Sequence, residues 1–477
     1  MNKVGLSVLS ALVVGLVSCS SPPKYDKVKL DLPSEFRDTG AWKLANPSDQ
    51  ALKQAWWEEF KDTDLNAFEE RALKNSPNLK IAIEKVNQSR ANFNTANAGL
   101  FPQFNAAGRL ARLEISGARP LTNYNTPNQA TVQTDILPQV LASYELDFWG
   151  RVSSSVAAGE AGLEQSMADF QNVKLVLSAD VATNYFNLRQ SDIEIDILSQ
   201  LVALQEKAVN LAMERFKLGL NSALESQQQE IALSTTRGQL EQLKRSRQVF
   251  EHALGTLVGE NATDFKVPVK LQERRFIDIP LGIPAALLER RPDVASAERA
   301  VAAANAQIGI AQAAYYPQIV LGGGFGYEAT RLSNLYYAPS RIWSFGPSLS
   351  LPLFDGGRID ANVAFTKAAY SIAVESYKKA VLTAFQEVED GLSGVWALDK
   401  AWVQAAQASQ SAARILDISK ERYKGGVASS FDMALAEQAF LNVKRQETQA
   451  FASKLQVQIF LIKATGGGWS GRKAEGL

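Results

Sequence analysis

The chain holds one cysteine and one histidine in 477 residues. A single cysteine forms no intrachain disulfide and no cysteine-rich metal site. A single histidine excludes a zinc centre built on several imidazoles and argues against a Ser–His triad. Only four methionines are present, and they are scattered, so no soft-metal relay is legible. Neither sign of charge is in excess: 50 Lys+Arg balance 50 Asp+Glu. The basic stripe of a nucleic-acid binder is therefore missing. So is a glycine-rich phosphate loop. Past the N-terminus no apolar run is long enough for a membrane helix, and 21% charged residues are too many for a polytopic helical membrane protein. With 46% hydrophobic residues the chain is nevertheless expected to fold. If it crosses a membrane, it does so with strands. No cofactor, no metal and no enzyme activity are expected.

The N-terminus reads as an address. Met1 to Lys3 is a short cationic start, and Val4 to Val17 has the length of a signal h-region. Leu16-Val17-Ser18-Cys19 resembles the bacterial lipobox, which implies lipidation of Cys19 after removal of residues 1–18. Ser20, not Asp, follows, which by the same resemblance favours the outer membrane. Cys19 to Pro23 reads as a flexible tether.

Most of the chain is written twice. Phe101-Pro102-Gln103-Phe104 matches Tyr316-Pro317-Gln318-Ile319, and Ser76-Pro77 matches Arg291-Pro292, at an offset of 215. Glu214-Arg215-Phe216-Lys217-Leu218-Gly219 matches Glu421-Arg422-Tyr423-Lys424-Gly425-Gly426 at 207, as Gly259 matches Gly466. The drop of eight falls inside residues 103–147, and a longer hairpin loop in the first half is the simplest expectation. Each half reads as helix, strand hairpin, very long helix, sharp turn, long helix. The boundaries expected are a tether and equatorial segment over 19–75, a first repeat over 76–265 with its hairpin at about 103–147, a linker over 266–288, a second repeat over 289–465 with its hairpin at about 318–354, and a tail over 466–477.

Two segments alternate with the period of a strand. Val132, Ile136, Val140, Ala142, Tyr144, Leu146 and Phe148 fall on one face, with Gln133, Asp135, Gln139, Ser143, Glu145 and Asp147 on the other. Trp343, Phe345, Leu349, Leu351 and Leu353 alternate with Ser344, Gly346, Ser348 and Ser350. Their partners, after Phe104 and Gln318, are weaker and Gly-rich; the connecting loops carry Pro120, Asn123, Asn125 and Pro127, then Asn334 and Pro339. Such strands suit a lipid-facing apolar side and a wet polar side, or two hairpins of a soluble sandwich. Asp135, Glu145 and Asp147 suggest an acidic lining or simply a solvated strand face. Four strands cannot close a membrane barrel, so the membrane reading requires several chains to pool theirs.

From Arg151 to Lys217 there is no proline and little glycine; Arg358 to Lys424 is alike, with Gly391 and Gly394 as weak points. At 1.5 Å per residue each helix would be roughly 100 Å long. Ser222–Leu257 and Ser429–Ala464 fold back after Leu218-Gly219 and Gly425-Gly426, where glycine permits the reversal.

At this point the chain resembles the outer membrane factor (TolC-like) family, in the lipoprotein branch that includes OprM and NodT-type proteins. The residues that carry the resemblance are Trp56-Trp57-Glu58-Glu59-Phe60-Lys61-Asp62 with Leu65, the segment Ile283-Pro284-Ala285-Ala286-Leu287-Leu288-Glu289-Arg290-Arg291-Pro292-Asp293-Val294, and Leu353-Phe354-Asp355-Gly356-Gly357-Arg358. The resemblance implies a mainly α fold with membrane β: a trimer whose four strands per chain form a shared 12-stranded barrel, continued by a long periplasmic α-helical barrel. It implies an equatorial belt that includes Lys24–Trp57 and the C-terminal tail. It implies an exit duct of a tripartite efflux system, passively conducting drugs or other small compounds from an inner-membrane pump, of the RND type, through a periplasmic adaptor. Adaptor contacts are expected at Lys217, Leu218, Gly219, Leu220, Asn221 and Ser222 and at Lys424, Gly425, Gly426, Val427, Ala428 and Ser429. A periplasmic gate is expected at Phe431, Asp432 and Leu435. Family members often carry Asp at the place of Leu435, so here the acidic ring is absent or shifted to Asp432. The alternative is that Phe431, Asp432 and Leu435 only pack between helices.

Two other functions fit parts of the sequence: a type I secretion duct and a structural coiled-coil lipoprotein. Arg290-Arg291 with Asp293 and Glu298 reads as a salt-bridged helix start with Pro292 in its first turn. Glu387 and Asp390 are expected at solvated helix positions and make a poor glycosidase pair. His252 is expected to be packed or at the surface.

Overall fold

A computed structural model describes residues 55–118, 130–220, 222–271, 276–277 and 291–467. The signal segment, Cys19, the tether, most of the linker and the C-terminal tail lie outside the described residues.

The chain enters through a 3-10 turn, Trp56–Phe60, then α1 Thr63–Asn75 and α2 Pro77–Ala98. The strands β1 Gln103–Ile115 and β2 Thr131–Glu145 follow, then α3 Arg151–Lys217 and α4 Ala223–Leu257. The order repeats as α5 Pro292–Ala313, β3 Gln318–Tyr327, β4 Arg341–Ser350, α6 Arg358–Lys424 and α7 Ser430–Ala464. Corresponding helices have equal lengths: α2 and α5 are 22 residues, α3 and α6 are 67, α4 and α7 are 35. Glycines with positive φ also recur 207 residues apart, at Gly150 and Gly357, Gly219 and Gly426, and Gly259 and Gly466. Among them Gly259 has no room for a side chain, because a Cβ there would sit 2.8 Å from the Asn75 carbonyl oxygen.

One expectation about the repeats needs correction. The eight extra residues of the first half are not mainly in a loop. β1 and β2 are 13 and 15 residues long, against 10 and 10 for β3 and β4. The strands grow because their hydrogen-bonded ladder continues without a break from Gln103↔Ser143 to Ile115↔Thr131.

By contacts the chain divides into two units. One holds residues 87–165 and 297–377 among the described ones, and contains the sheet. Its four strands are all antiparallel, in the order β1-β2-β3-β4, so β1 and β4 are its edges. Helical residues of this unit pack closely: a Cβ on Gly159 would lie 3.2 Å from the Phe93 backbone. Trp149 stacks on Tyr316 at 4.8 Å and donates its indole N–H to the Pro317 carbonyl at 2.7 Å.

The other unit holds the rest and carries the main apolar core. The Trp-Trp motif is an anchor in it. Trp56, Trp57 and Phe60 are buried, and Trp56 donates to Ser178 Oγ on α3 at 3.2 Å. Asp62 caps α1, accepting from the Asp64 and Leu65 amides at 3.0 and 3.2 Å, and its other oxygen accepts from the Tyr185 hydroxyl at 2.8 Å.

Gly391 and Gly394 are not weak points. α6 runs through both, and α7 packs closely against them. A Cβ on Gly391 would lie 2.9 Å from the Leu461 side chain, and one on Gly394 would lie 2.9 Å from Val457. The missing side chains let two long helices close up.

Candidate functional site

No catalytic or metal-binding constellation stands out among the described residues. Among the described residues no group of three or more His, Cys, Asp or Glu could hold a metal ion. No described helix is long and apolar enough to cross a membrane. His252 is exposed on α4. The surfaces singled out from the sequence are instead the two faces of the sheet and the two helix turns.

Directly paired residues share a face of a sheet. The register places Phe104 opposite Ala142, Leu110 opposite Ile136, Val140 opposite Phe325, Phe325 opposite Trp343, Gly323 opposite Phe345 and Ile319 opposite Leu349. This is one continuous apolar face across all four strands. It lies open in the single chain: Phe104, Leu110, Trp343 and Phe345 are each more than 70% exposed. The opposite face carries Gln103, Gln139, Ser143, Gly322, Gly346 and Ser348 in register. An exposed aromatic face backed by a polar one matches the lipid and lumen sides of a membrane strand.

The acidic lining expected on the polar face is absent as free charge. Asp135 is buried and ion-paired with Arg109. Glu145 accepts both hydrogen bonds of the Arg151 fork, at 2.7 and 2.5 Å, and a third from Gln318 at 2.8 Å. Asp147 starts α3 by accepting from the Val152 and Ser153 amides at 2.8 and 2.7 Å. Asp355 does the same for α6 through Gly357 and Ile359. Each carboxylate is consumed by a local partner, which alternation alone could not reveal.

The two helix turns are near copies. After α3, the Leu220 amide donates back to the Arg215 carbonyl at 2.8 Å and the Gly219 amide to Phe216 at 2.9 Å. After α6, Val427 donates to Arg422 at 2.9 Å and Gly426 to Tyr423 at 3.0 Å. Both are Schellman closures, and both need the left-handed residue that Gly219 and Gly426 supply at φ 70°. Lys217 pairs with Glu214 and Lys424 with Glu421, at 2.9 and 2.8 Å. Leu218, Leu220 and Val427 project into solvent. Ser222 and Ser429 cap the returning helices. Asn221 lies outside the described residues. The expected contact residues that are described therefore sit together on the turns, exposed except for the half-buried Ala428.

The expected gate residues follow at once, in the first turns of α7. Phe431 and Leu435 are nearly half exposed, and Asp432 is exposed. Asp432 has a local task that the sequence reading missed. Its carboxylate accepts from the Ser429 amide at 2.9 Å and the Ser429 hydroxyl at 2.8 Å, while the Asp432 amide donates to Ser429 Oγ at 3.1 Å. This reciprocal capping box, above all the Ser429 amide, holds the Asp432 carboxyl below the usual aspartate range. The pattern Ser-x-x-Asp was the signal available for it. Phe431 also borders a groove of about 640 Å³ lined by Leu204, Leu211 and Arg215 of α3 and Leu220 beyond it.

Arg291 behaves as expected, and more. Its guanidinium forks onto Asp293 at 3.0 and 2.7 Å, while Nη1 reaches Glu387 at 2.6 Å and the Ala464 carbonyl at 2.9 Å. Glu387 is thus half-buried and paired, not solvated. Arg290 lies outside the described residues.

This geometry has close counterparts in known proteins. The family described as "Outer membrane efflux protein" matches residues 69–260 and 283–467. The pyoverdine export outer membrane protein OpmQ of Pseudomonas aeruginosa is 30% identical over 473 residues, covering 98% of each chain. Outer membrane protein OprJ of the same organism is 30% identical over 482 residues, covering 98% of this chain and 97% of its own. The crystal structure of the Campylobacter jejuni CmeC outer membrane channel superposes with a TM-score of 0.85 at 25% identity, covering 95% of this chain and 96% of that one. With an open apolar sheet face, two duplicated helical hairpins and these relatives along its whole length, the chain belongs to the outer membrane efflux protein family: it is a TolC-like efflux channel of the outer membrane.

Proposed function

We propose that three copies assemble into one duct, each contributing its four strands to a closed 12-stranded barrel. The observation that carries this is the sheet itself. Its apolar face is exposed, and β1 and β4 have free edges. The apolar face suits lipid, but the free edges are not tolerable there unless neighbouring copies pair them. Ten strand residues span roughly 33 Å, enough for a hydrocarbon core of about 30 Å. The chain is read as two repeats, 76–265 and 289–465, with the stated tether, linker and tail. Cys19 carries the lipid anchor. The duplicated turns, Lys217–Ser222 and Lys424–Ser429, meet a periplasmic adaptor, and through it an RND-type inner-membrane pump. Phe431, Asp432 and Leu435 narrow the duct beside these turns. Export relatives named for pyoverdine, antibiotics and toluene support small organic compounds as cargo.

The deciding experiment is conductance of the detergent-purified protein in planar bilayers, with its mass measured by light scattering. The expected result is a trimer with small, mostly closed conductance that widens in Phe431→Gly and Asp432→Ala. A monomer that conducts in no variant overturns the reading.

A further inference from the structure

The hydrogen-bond phase of the sheet dictates how its edges can meet another copy. Ile136 and Ala329 exchange both backbone hydrogen bonds, each at 3.0 Å, and Leu146 donates to the Ile319 carbonyl at 2.9 Å. Even-numbered residues of β2 therefore bond to β3 and odd-numbered ones to β1. By the β1–β2 register the odd residues of β1 are used within the chain, and the even ones turn their N–H and C=O to the free edge. At the other side Glu328 donates to Ser340 at 2.8 Å, continuing the β3–β4 ladder. Even residues of β4 thus bond to β3, and odd ones face its free edge. These outward sets, the even residues from Phe104 to Glu114 and the odd ones from Arg341 to Leu349, are also the residues of the apolar face. Joining β4 to β1 through them keeps that face continuous from copy to copy.

The stagger between copies is limited as well. Along the three ladders Arg341 lies level with Tyr327, Pro138 and Gly108 of its own chain. A closed barrel tilts its strands by about 35–45°, which across four strands about 4.8 Å apart shifts the register by about four to six residues per copy. The phase of the hydrogen bonds admits only even shifts. A shift toward the start of β1 would leave β4 without partners beyond Ile342, whereas a shift toward Ile115 pairs all ten of its residues. The smaller even shift sets Arg341 opposite the partner subunit's Arg112. The larger sets Arg341 opposite the partner subunit's Glu114, and Trp343 opposite the partner subunit's Arg112. All these side chains are exposed, at the hairpin end of the sheet. Like charges directly opposite destabilise a seam; opposite charges and a cation against an indole stabilise it.

We propose that copies join in the larger shift, with Arg341 paired to Glu114 of the partner subunit, and that this pair and Trp343 against the partner subunit's Arg112 select the register. The proposal deepens the trimeric-duct reading and rests on it. The other outward positions agree. Phe345 meets the partner's Leu110, and Pro347, which has no N–H to give, meets the partner's Gly108, whose face is open.

The test places cysteine pairs on the polar face, where the seam positions are the closer, non-hydrogen-bonded kind. Ser348→Cys with Ala107→Cys is directly opposite in the proposed register, and Ser348→Cys with Asn105→Cys only in the smaller shift. Cα atoms more than about 7 Å apart do not form a disulfide. Purified full-length protein is sized by light scattering, oxidised and run on denaturing gels, with the parent as the control for Cys19. The Ala107 pair is expected to give covalent species ending at three chains, and the Asn105 pair only the parent's background. In a second arm Arg341→Glu and Glu114→Arg, each alone, are expected to lower trimer yield at least about fivefold, and the two together to restore it. Cross-linking by the Asn105 pair instead, or by neither pair in a protein that is trimeric by light scattering, overturns the register and leaves the duct standing. Cross-linking by the Ala107 pair without rescue by the double reversal overturns the ion pair as the selector. A protein that is monomeric in every form, the parent included, fails the duct reading and takes the register with it.

Discussion

Single side chains in this protein decide whether helices meet or part. Arg291 satisfies Asp293, Glu387 and the end of α7 at once. Arg291→Leu strands a half-buried carboxylate and a buried carbonyl, and should cost about 3–5 kcal/mol, seen as a lower trimer melting temperature. Glu69 poses the opposite problem. It is fully buried in α1, and neither carboxylate oxygen has a partner among the described residues. Burial raises its pKa well above the usual 4.5. The folded chain then holds this proton more tightly than the unfolded one, so the associated stability is present at acid pH and falls as pH rises from about 4.5 toward the raised value. Glu69→Gln should flatten that fall in denaturant titrations and raise stability at neutral pH. Arg291 was legible from its neighbours Pro292 and Asp293, because helix starts have short-range signatures. Gly391 and the Lys454–Asp399 pair were not. Their meaning depends on partners 55 or more residues away, such as Asp399 for Lys454.

Helices were the most legible elements. The absence of proline marked α3 and α6 from end to end, and glycine followed by serine marked both reversals. Strand lengths were less legible, since alternation shows a strand but not where its ladder stops. At this scale the caps make the sharpest test. Ser429→Ala removes both the hydroxyl that receives the Asp432 amide and the hydroxyl's bond to the carboxylate, and should cost about 1 kcal/mol. Amide exchange should quicken in the first turn of α7 and nowhere else. Gly426→Ala meets nothing within 4 Å, so its cost is that of the left-handed backbone alone, about 1 kcal/mol. A comparable loss is expected for Gly219→Ala, and a much larger one for Gly259→Ala, which also collides with Asn75. Thermal unfolding of the three variants ranks them directly.

The whole molecule is defined by the sheet's two faces. Phe345→Arg places a cation on the apolar side and should cost about 2–4 kcal/mol if the residue lies near the bilayer midplane. The yield of trimer in outer-membrane fractions should fall accordingly. Ser348→Arg, on the polar side, should leave that trimer intact. That several copies must pool their strands was legible, because four strands are too few to close a barrel; the number three came only with the family resemblance.

The same free edges carry a consequence for timing. A newly exported chain presents β1 and β4 as open templates, and any strand-forming neighbour can pair with them. Productive closure needs three chains to meet, so its rate climbs steeply with local concentration, whereas mispairing needs only two. Slow or sparse delivery therefore leaves each monomer waiting in its most vulnerable form. Yield in the cell should depend less on how stable the finished trimer is than on how briefly its subunits remain alone.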